Sequence, residues 1–351
     1  MKSTPRLLIN LEKIVANYLR LRKRADRAGV AITVVLKGIA GDLKIARSLV
    51  EVGAQEIGDS RLENLRNFRR AFPNTRRMML RLPQLSRIEE TVTSSQISLN
   101  AEISTLEGLH RLALPHEVML MVDLGDLREG VDEAGLISLA QACRRFPTLK
   151  VTALGANFSC FAGAAPTVAK LEQLVCQAEF LRSEFQFPVE IVSGGNSSSL
   201  PLLYQNRLPA GINQLRIGEA ILLGRETMNG QYLADLCHDA FIVEAEVLQV
   251  QNKPACPQTG LGLDAFGRLP NFPADAPGIK GLMNIGHQDT SMVGLIPLDS
   301  RLTILGGSSD YLVVAGEETT LKVGQVLQFI PNYWGLLSLM TSPYIAKTYL
   351  Q

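Results

Sequence analysis

Through about residue 220 the chain repeats one pattern: a short β-branched apolar run, a turn, then an amphipathic helical repeat. After an opening run at Leu7 to Ile9, the runs that read as strands are 32–36, 56–58, 78–82, 97–99, 118–122, 151–155, 189–192 and 214–217. Helical spacing fills the intervals at 45–52, 62–71, 103–112, 136–146, 168–185 and 200–204. Strands joined by crossover helices are parallel, and eight of them point to a closed (β/α)8 barrel of the TIM type rather than an open sheet. In such a barrel the chemistry gathers at the C-terminal ends of the strands. Lys37, Asp59-Ser60-Arg61, Arg81, Asn100-Ala101-Glu102, Asp123, Asn157, Ser193-Gly194-Gly195 and Arg216 all fall there.

From about Glu226 the helical period fades. Runs at 241–251, 280–285, 302–305, 311–314 and 325–330 read as strands between Gly, Pro and Asp turns. The expectation is a barrel over residues 1–230 and a C-terminal, mainly β domain over 231–351, to which residues 6–10 can add a strand. Residues 254–277 hold five prolines and read as a long loop. Asp299-Ser300-Arg301 and Gly306-Gly307-Ser308 read as turns.

With 35 basic against 34 acidic residues, the net charge of +1 argues against nucleic acid or an anionic membrane as the main partner. Five scattered cysteines with no CxxC pair argue against a disulfide framework or a zinc site and for a reducing cytoplasm. No signal-like or membrane-spanning apolar run is expected.

Lys37 closes the first barrel strand, before Gly38 and Gly41. A lysine there is costly unless its ammonium finds a partner or loses its charge, and a neutral amine can condense with an aldehyde. An exposed lysine at a loop start is the plainer alternative. Ser193-Gly194-Gly195-Asn196-Ser197-Ser198-Ser199 offers small residues and hydroxyls before a helix, either an anion cradle or an ordinary cap. Gly218-Glu219 after strand eight is a second such contact, and barrels often seat phosphate between these two loops. Asp123 to Gly130 packs three carboxylates and Arg128 into eight residues, a metal cluster or a salt-bridged turn. The four histidines lack metal spacing. His110 and His116 read as surface residues, whereas His287 lies in a turn, Ile285-Gly286-His287-Gln288-Asp289.

Together these segments resemble the alanine-racemase-like family of pyridoxal-phosphate enzymes, most closely its ornithine racemase branch, over nearly the whole chain. Val35-Leu36-Lys37-Gly38 is similar to the segment that carries the cofactor lysine. Val122 to Gly130 resembles VDxGxxRxG, which implies that Arg128 approaches the cofactor's phenolic oxygen or the substrate carboxylate. Gly194 to Ser197 resembles the phosphate-binding Asn-Ser segment, so Asn196 and Ser197 would hold phosphate. Leu215 to Glu219 resembles the RxG motif, which implies Arg216 at the pyridine nitrogen and phosphate on the amides of Gly218 and Glu219. Pro331-Asn332-Tyr333 resembles the segment whose tyrosine closes on phosphate.

The family's second base is a tyrosine in an IGYxDG-like turn supplied by the partner subunit. Here that turn carries His287 and Asp289, and Ser309-Asp310 resembles a second partner-subunit segment. Cys160 or Ser159 lies near the position that stacks on the pyridine ring. The resemblance implies a cytoplasmic homodimer with shared sites that racemises a free amino acid, basic or alanine, by two-base α-proton exchange. Lys37 would be one base, and His287 or Asp310 the other. Asp289, Asp310 or Glu219 would pair with a distal amine, and Arg128 and Ser309 would add substrate contacts. A fold-related decarboxylase, a non-catalytic pyridoxal-phosphate carrier and a cofactor-free lysine aldolase are the alternatives. Arg216, residues 230–351, and Asn196-Ser197 with Tyr333 argue against them in turn.

Overall fold

The computed structural model describes residues 4–257, 260–269, 278–317 and 321–350. Strand β1 (Arg6–Asn10) leads into α1 (Leu11–Arg27), and contacts then divide the chain into two compact units. One unit is Ile14–His238; the other joins Met1–Lys13 to Asp239–Gln351, so the division falls beyond the boundary read at residue 230.

The first unit closes eight strands into a parallel barrel. They are β2 (Ala31–Val35), β3 (Glu56–Asp59), β4 (Arg76–Met79), β5 (Ile97–Asn100), β6 (His116–Val122), β7 (Leu149–Ala156), β8 (Ile191–Ser193) and β9 (Gln214–Ile217). Closure is direct, with β2 pairing β3 through Val35 and Gly58 and β9 through Val34 and Ile217. The helices are α2 (Leu43–Glu51), α3 (Leu62–Ala71), α4 (Ile88–Ser94), α5 (Ile103–Arg111), α6 (Glu133–Cys143), α7 (Val168–Phe185), α8 (Leu200–Tyr204) and α9 (Glu219–Leu223). Strand alternation sends successive side chains to opposite faces. Val118, Leu120 and Val122 therefore join Leu106, Leu139 and Leu171 in one buried cluster, while Met119 and Met121 join Met78, Leu99 and Ala153 in another.

The N-terminal ends of the strands carry an ionic layer around the buried Glu56. Glu56 accepts from Thr33 Oγ1 at 2.5 Å, Gln214 Nε2 at 3.1 Å and Arg76 Nε at 2.7 Å. Arg76 also forks onto Glu117 with two 2.7 Å bonds. A buried carboxylate persists when paired in this way, so this end is built for stability and the opposite end is left for chemistry. His116 belongs to this layer. It is 2% exposed, not a surface residue, because it starts β6 and bonds Ser98 Oγ through Nε2 at 2.8 Å. Burial pushes its imidazole down to about 4.

The second unit is a sheet ordered β12-β15-β10-β11-β14-β13, built from β10 (Phe241–Asn252), β11 (Ile279–Met283), β12 (Leu295–Pro297), β13 (Thr303–Gly307), β14 (Leu312–Gly316) and β15 (Val326–Pro331). β1 pairs antiparallel with β10 and parallel with β16 (Ala346–Leu350). Helix α10 (Tyr333–Thr341) starts under a cap in which Asn332 Oδ1 accepts from Gly335 N at 3.0 Å. Gly306 and Gly307 lie inside β13, not in a turn; they face Val313 and Leu312 of β14 after a bulge at Leu305, and the turn falls at Ser308–Asp310. Of the expected loop, residues 254–257 and 260–269 carry neither helix nor strand, and 258–259 and 270–277 lie outside the described residues.

Candidate active site

Strand β2 ends in a single 3-10 turn, Lys37–Ile39, which leaves Lys37 half-buried at the C-terminal mouth of the barrel. Asp42 closes that loop by capping α2, accepting from Lys44 N at 2.9 Å and Ile45 N at 3.0 Å. The neighbouring strand ends on Asp59, which has no exposed surface. Asp59 Oδ1 accepts from Arg61 N at 2.9 Å and Asn64 Nδ2 at 3.1 Å, while Oδ2 is buried without a partner among the described residues. Burial pushes this carboxyl up to about 6, against the pull of those two donors and of the charge on Lys37.

After β8 the chain turns through Gly194 and Gly195 into a 3-10 turn, Ser197–Ser199. Gly195 has φ +104°, and a Cβ there would stand 2.9 Å from the Phe158 ring and from Ser199 Oγ. Across from it, a Cβ on Gly218 would stand 3.1 Å from Val35. The two turns meet where Ala220 N donates to Ser197 Oγ at 3.3 Å. Short helical turns leave their first amides without intrahelical acceptors, and Ser198 Oγ is buried with no partner among the described residues. Glu219 is turned aside onto Arg225 at 3.2 Å, and burial pushes its carboxyl up to about 7. Amides, hydroxyls and glycine-sized space fit the phosphate of pyridoxal phosphate.

Arg216 lies in the barrel interior, where Nη2 donates to Ala156 O at 2.7 Å and Nη1 to Ser193 Oγ. Burial pulls its guanidinium down to about 10, and the charge opposing this most is that of Glu129. Arg128 pairs with Glu129 and lies 3.8 Å from Asp126. Asp123 serves the turn itself, its Oδ1 accepting from the amides of Gly125, Asp126 and Leu127. Asp126 holds the exposed Cys160 in place by accepting from its amide at 3.0 Å. Lys37, Arg128, Asn196, Ser197, Arg216, Gly218 and Glu219 thus gather at strand ends of one barrel. Glu129 and Asn157 link Arg128 to Asn196; the first lies within the Val122–Gly130 motif and the second directly after β7, and neither residue type in those places signals the contact by itself.

The remaining candidates belong to the β unit. His287 N donates to Ser308 O at 3.0 Å and Gln288 N to Ser309 O at 3.1 Å, so the turn after β11 lies backbone to backbone on the β13–β14 turn. Gln288 Nε2 reaches Asp310 Oδ1 at 3.1 Å, and Asp289 Oδ2 accepts from Gly286 N at 3.2 Å. His287, Asp289, Ser309 and Asp310 are therefore neighbours. The ring of Phe266 lies edge-on to His287, with centroids 4.4 Å apart. Tyr333 opens α10, half-buried.

Residues 9–226 match the family profile "Alanine racemase, N-terminal domain". The chain is 35% identical to the ornithine racemase of Acetoanaerobium sticklandii over 99% of both proteins. It is 37% identical to the lysine racemase of Thermotoga maritima over 98% of both. Among solved structures it superposes on an alanine racemase from Bartonella henselae with covalently bound pyridoxal phosphate (TM-score 0.74, 20% identity, 99% of this chain and 100% of that one). A D-threo-3-hydroxyaspartate dehydratase from Delftia sp. HT23 gives TM-score 0.77 at 17% identity, over 99% of this chain and 95% of that one, a likeness of fold alone. The profile's span and the end-to-end relatives place this chain in the alanine racemase family.

Proposed function

We propose that the protein is a pyridoxal-phosphate-dependent racemase that interconverts the L and D forms of a basic free amino acid, ornithine or lysine. Two end-to-end relatives bear those substrates in their names. The structural observation that carries the reading is Arg216, buried and bonded to Ser193 and Ala156 rather than to a carboxylate among the described residues.

Pyridoxal phosphate, when bound, supplies an electron sink for the α-carbon of an amino acid. Ser197 and the amides of Gly218 and Glu219 would hold its phosphate, Asn196 would shape the turn that presents them, and Lys37 would be its point of attachment. Arg216 cannot hand over a proton at usable pH, so it keeps the sink shallow and favours proton return over decarboxylation. Arg128 receives the substrate carboxylate. Lys37 takes or returns the α-proton on one face, and His287 of the partner subunit does so on the other, with Asp310 the alternative. Burial holds His287 below the usual histidine range, so it is neutral and able to accept a proton at pH 7. Asp289 and Ser309 complete the substrate contacts, and Tyr333 closes on the phosphate. The assembly is a homodimer.

Purified protein supplied with pyridoxal phosphate should racemise ornithine and lysine in both directions in a chiral chromatographic assay. Borohydride should fix the cofactor to the peptide containing Lys37. A diamine product without the enantiomer, or a labelled peptide lacking Lys37, overturns the reading.

A further inference from the structure

The carboxylate of Glu129 joins two parts of the site that the sequence presents as separate motifs. It pairs with Arg128 through Nε and through Nη2, the latter at 2.6 Å, and its side chain is 14% exposed. The same Oε1 accepts from Asn157 Nδ2 at 3.3 Å. Asn157 Oδ1 in turn accepts from Asn196 Nδ2 at 2.8 Å, and Asn196 also donates to Phe158 O at 2.8 Å. Asn196 Oδ1 is left to accept from Ser198 N at 2.8 Å and from Thr227 Oγ1 at 3.2 Å.

The direction of this relay is not free. An ionised carboxylate only accepts, so Asn157 must present its NH2 to Glu129 and its oxygen to Asn196. Asn196 must then present its NH2 to Asn157 and its oxygen to the amide of Ser198. The backbone holds Asn196 the same way, its NH2 facing Phe158 O and its oxygen facing Ser198 N, so the Glu129 carboxylate at one end and this turn at the other agree on a single orientation for Asn157. A carboxamide at 129 would offer a single acceptor oxygen to Arg128 and Asn157 together. A hydrogen bond to a charged partner is also stronger than one between neutral groups.

We propose that Glu129 is a positioning residue that ties Arg128 to the Asn196–Ser198 turn. The arginine facing the substrate carboxylate and the turn facing the cofactor phosphate are then oriented by one side chain. This rests on the roles proposed above for Arg128, Asn196 and Ser197, and it adds a coupling between them.

The test is a double-mutant cycle on Glu129 and Asn157, read as the dissociation constant of pyridoxal phosphate titrated into apoprotein. Glu129→Ala and Asn157→Ala should each weaken cofactor binding roughly tenfold, and the double variant should be no weaker than Glu129→Ala alone. Glu129→Ala should also raise KM for ornithine, because Arg128 loses its anchor, whereas Asn157→Ala should leave KM near the wild-type value. Glu129→Asp should restore part of both losses. Thermal melts identify a variant that fails to fold, and Glu129→Gln, which keeps the side chain's shape, then takes its place in the same cycle with the same expectation. Losses that multiply in the double variant, or wild-type cofactor affinity in Glu129→Ala, overturn the relay. A wild-type protein that neither binds pyridoxal phosphate nor racemises ornithine overturns instead the functional reading on which the relay rests.

Discussion

Asp59 has no exposed surface, and one of its oxygens lacks a donor among the described residues, next to the strand that delivers Lys37. Such a group destabilises the fold whenever it is ionised. Its folded pKa, about 6, lies above the ordinary aspartate value, so the native state binds the extra proton between about pH 4 and pH 6. Asp59's contribution to stability therefore falls as pH rises through that window and is constant above it. Asp59→Asn keeps an acceptor for Arg61 N and removes the ionisation, so it should remove that contribution to the slope and stabilise the apoprotein at pH 7 by roughly 3 kcal/mol. Denaturant melts at pH 4, 5, 6 and 7 check this, and a variant with the parental slope would show that the carboxyl is not buried in solution. The sequence placed Asp59 at a strand end without showing its burial. The same blindness misplaced His116, because a histidine opening a strand reads alike whether it faces solvent or Ser98.

At the level of elements, the barrel was readable because each strand and helix carries its own periodicity. The helices Leu62–Ala71, Val168–Phe185 and Leu200–Tyr204 and the strand Gln214–Ile217 have the bounds read from sequence. What was missed depends on distant partners. Ala346–Leu350 is a strand because β1 pairs with it, more than three hundred residues away. Tyr333–Thr341 is apolar and aromatic enough to pass for a strand and is made a helix by the Asn332 cap and by a close backbone approach, where a Cβ on Gly335 would stand 2.3 Å from Gly294 O. The paired turns of the β unit depend on Gly286 in the same way, since a Cβ there would fall 2.2 Å from Ser309 O. Gly286→Ala must push the turns apart, which should cost roughly 1–3 kcal/mol of stability. Racemisation should drop while the barrel still binds pyridoxal phosphate with parental affinity. A melt, a cofactor titration and a chiral assay on the same preparation check the three expectations. Normal turnover would remove these turns from the site.

At the level of the whole molecule, the proposed chemistry needs one base on each face of the substrate, and the chain divides its candidates between units. Lys37 belongs to Ile14–His238, whereas His287 and Asp310 belong to the unit that contains Asp239–Gln351. Under the proposed homodimer, each site takes Lys37 from one subunit and the second base from the other. Lys37→Ala and His287→Ala subunits, each inactive alone, should then complement when mixed and allowed to exchange. A mixed dimer has one site that carries both defects and one that carries neither, so its activity can reach at most half that of a normal dimer. Asp310→Asn subunits replace His287→Ala in the same experiment if Asp310 is the base. A His287→Ala enzyme fully active in both directions would eliminate that histidine. Sites contained within one subunit would give no recovery on mixing, and a fully active monomer in sedimentation would end the shared-site proposal.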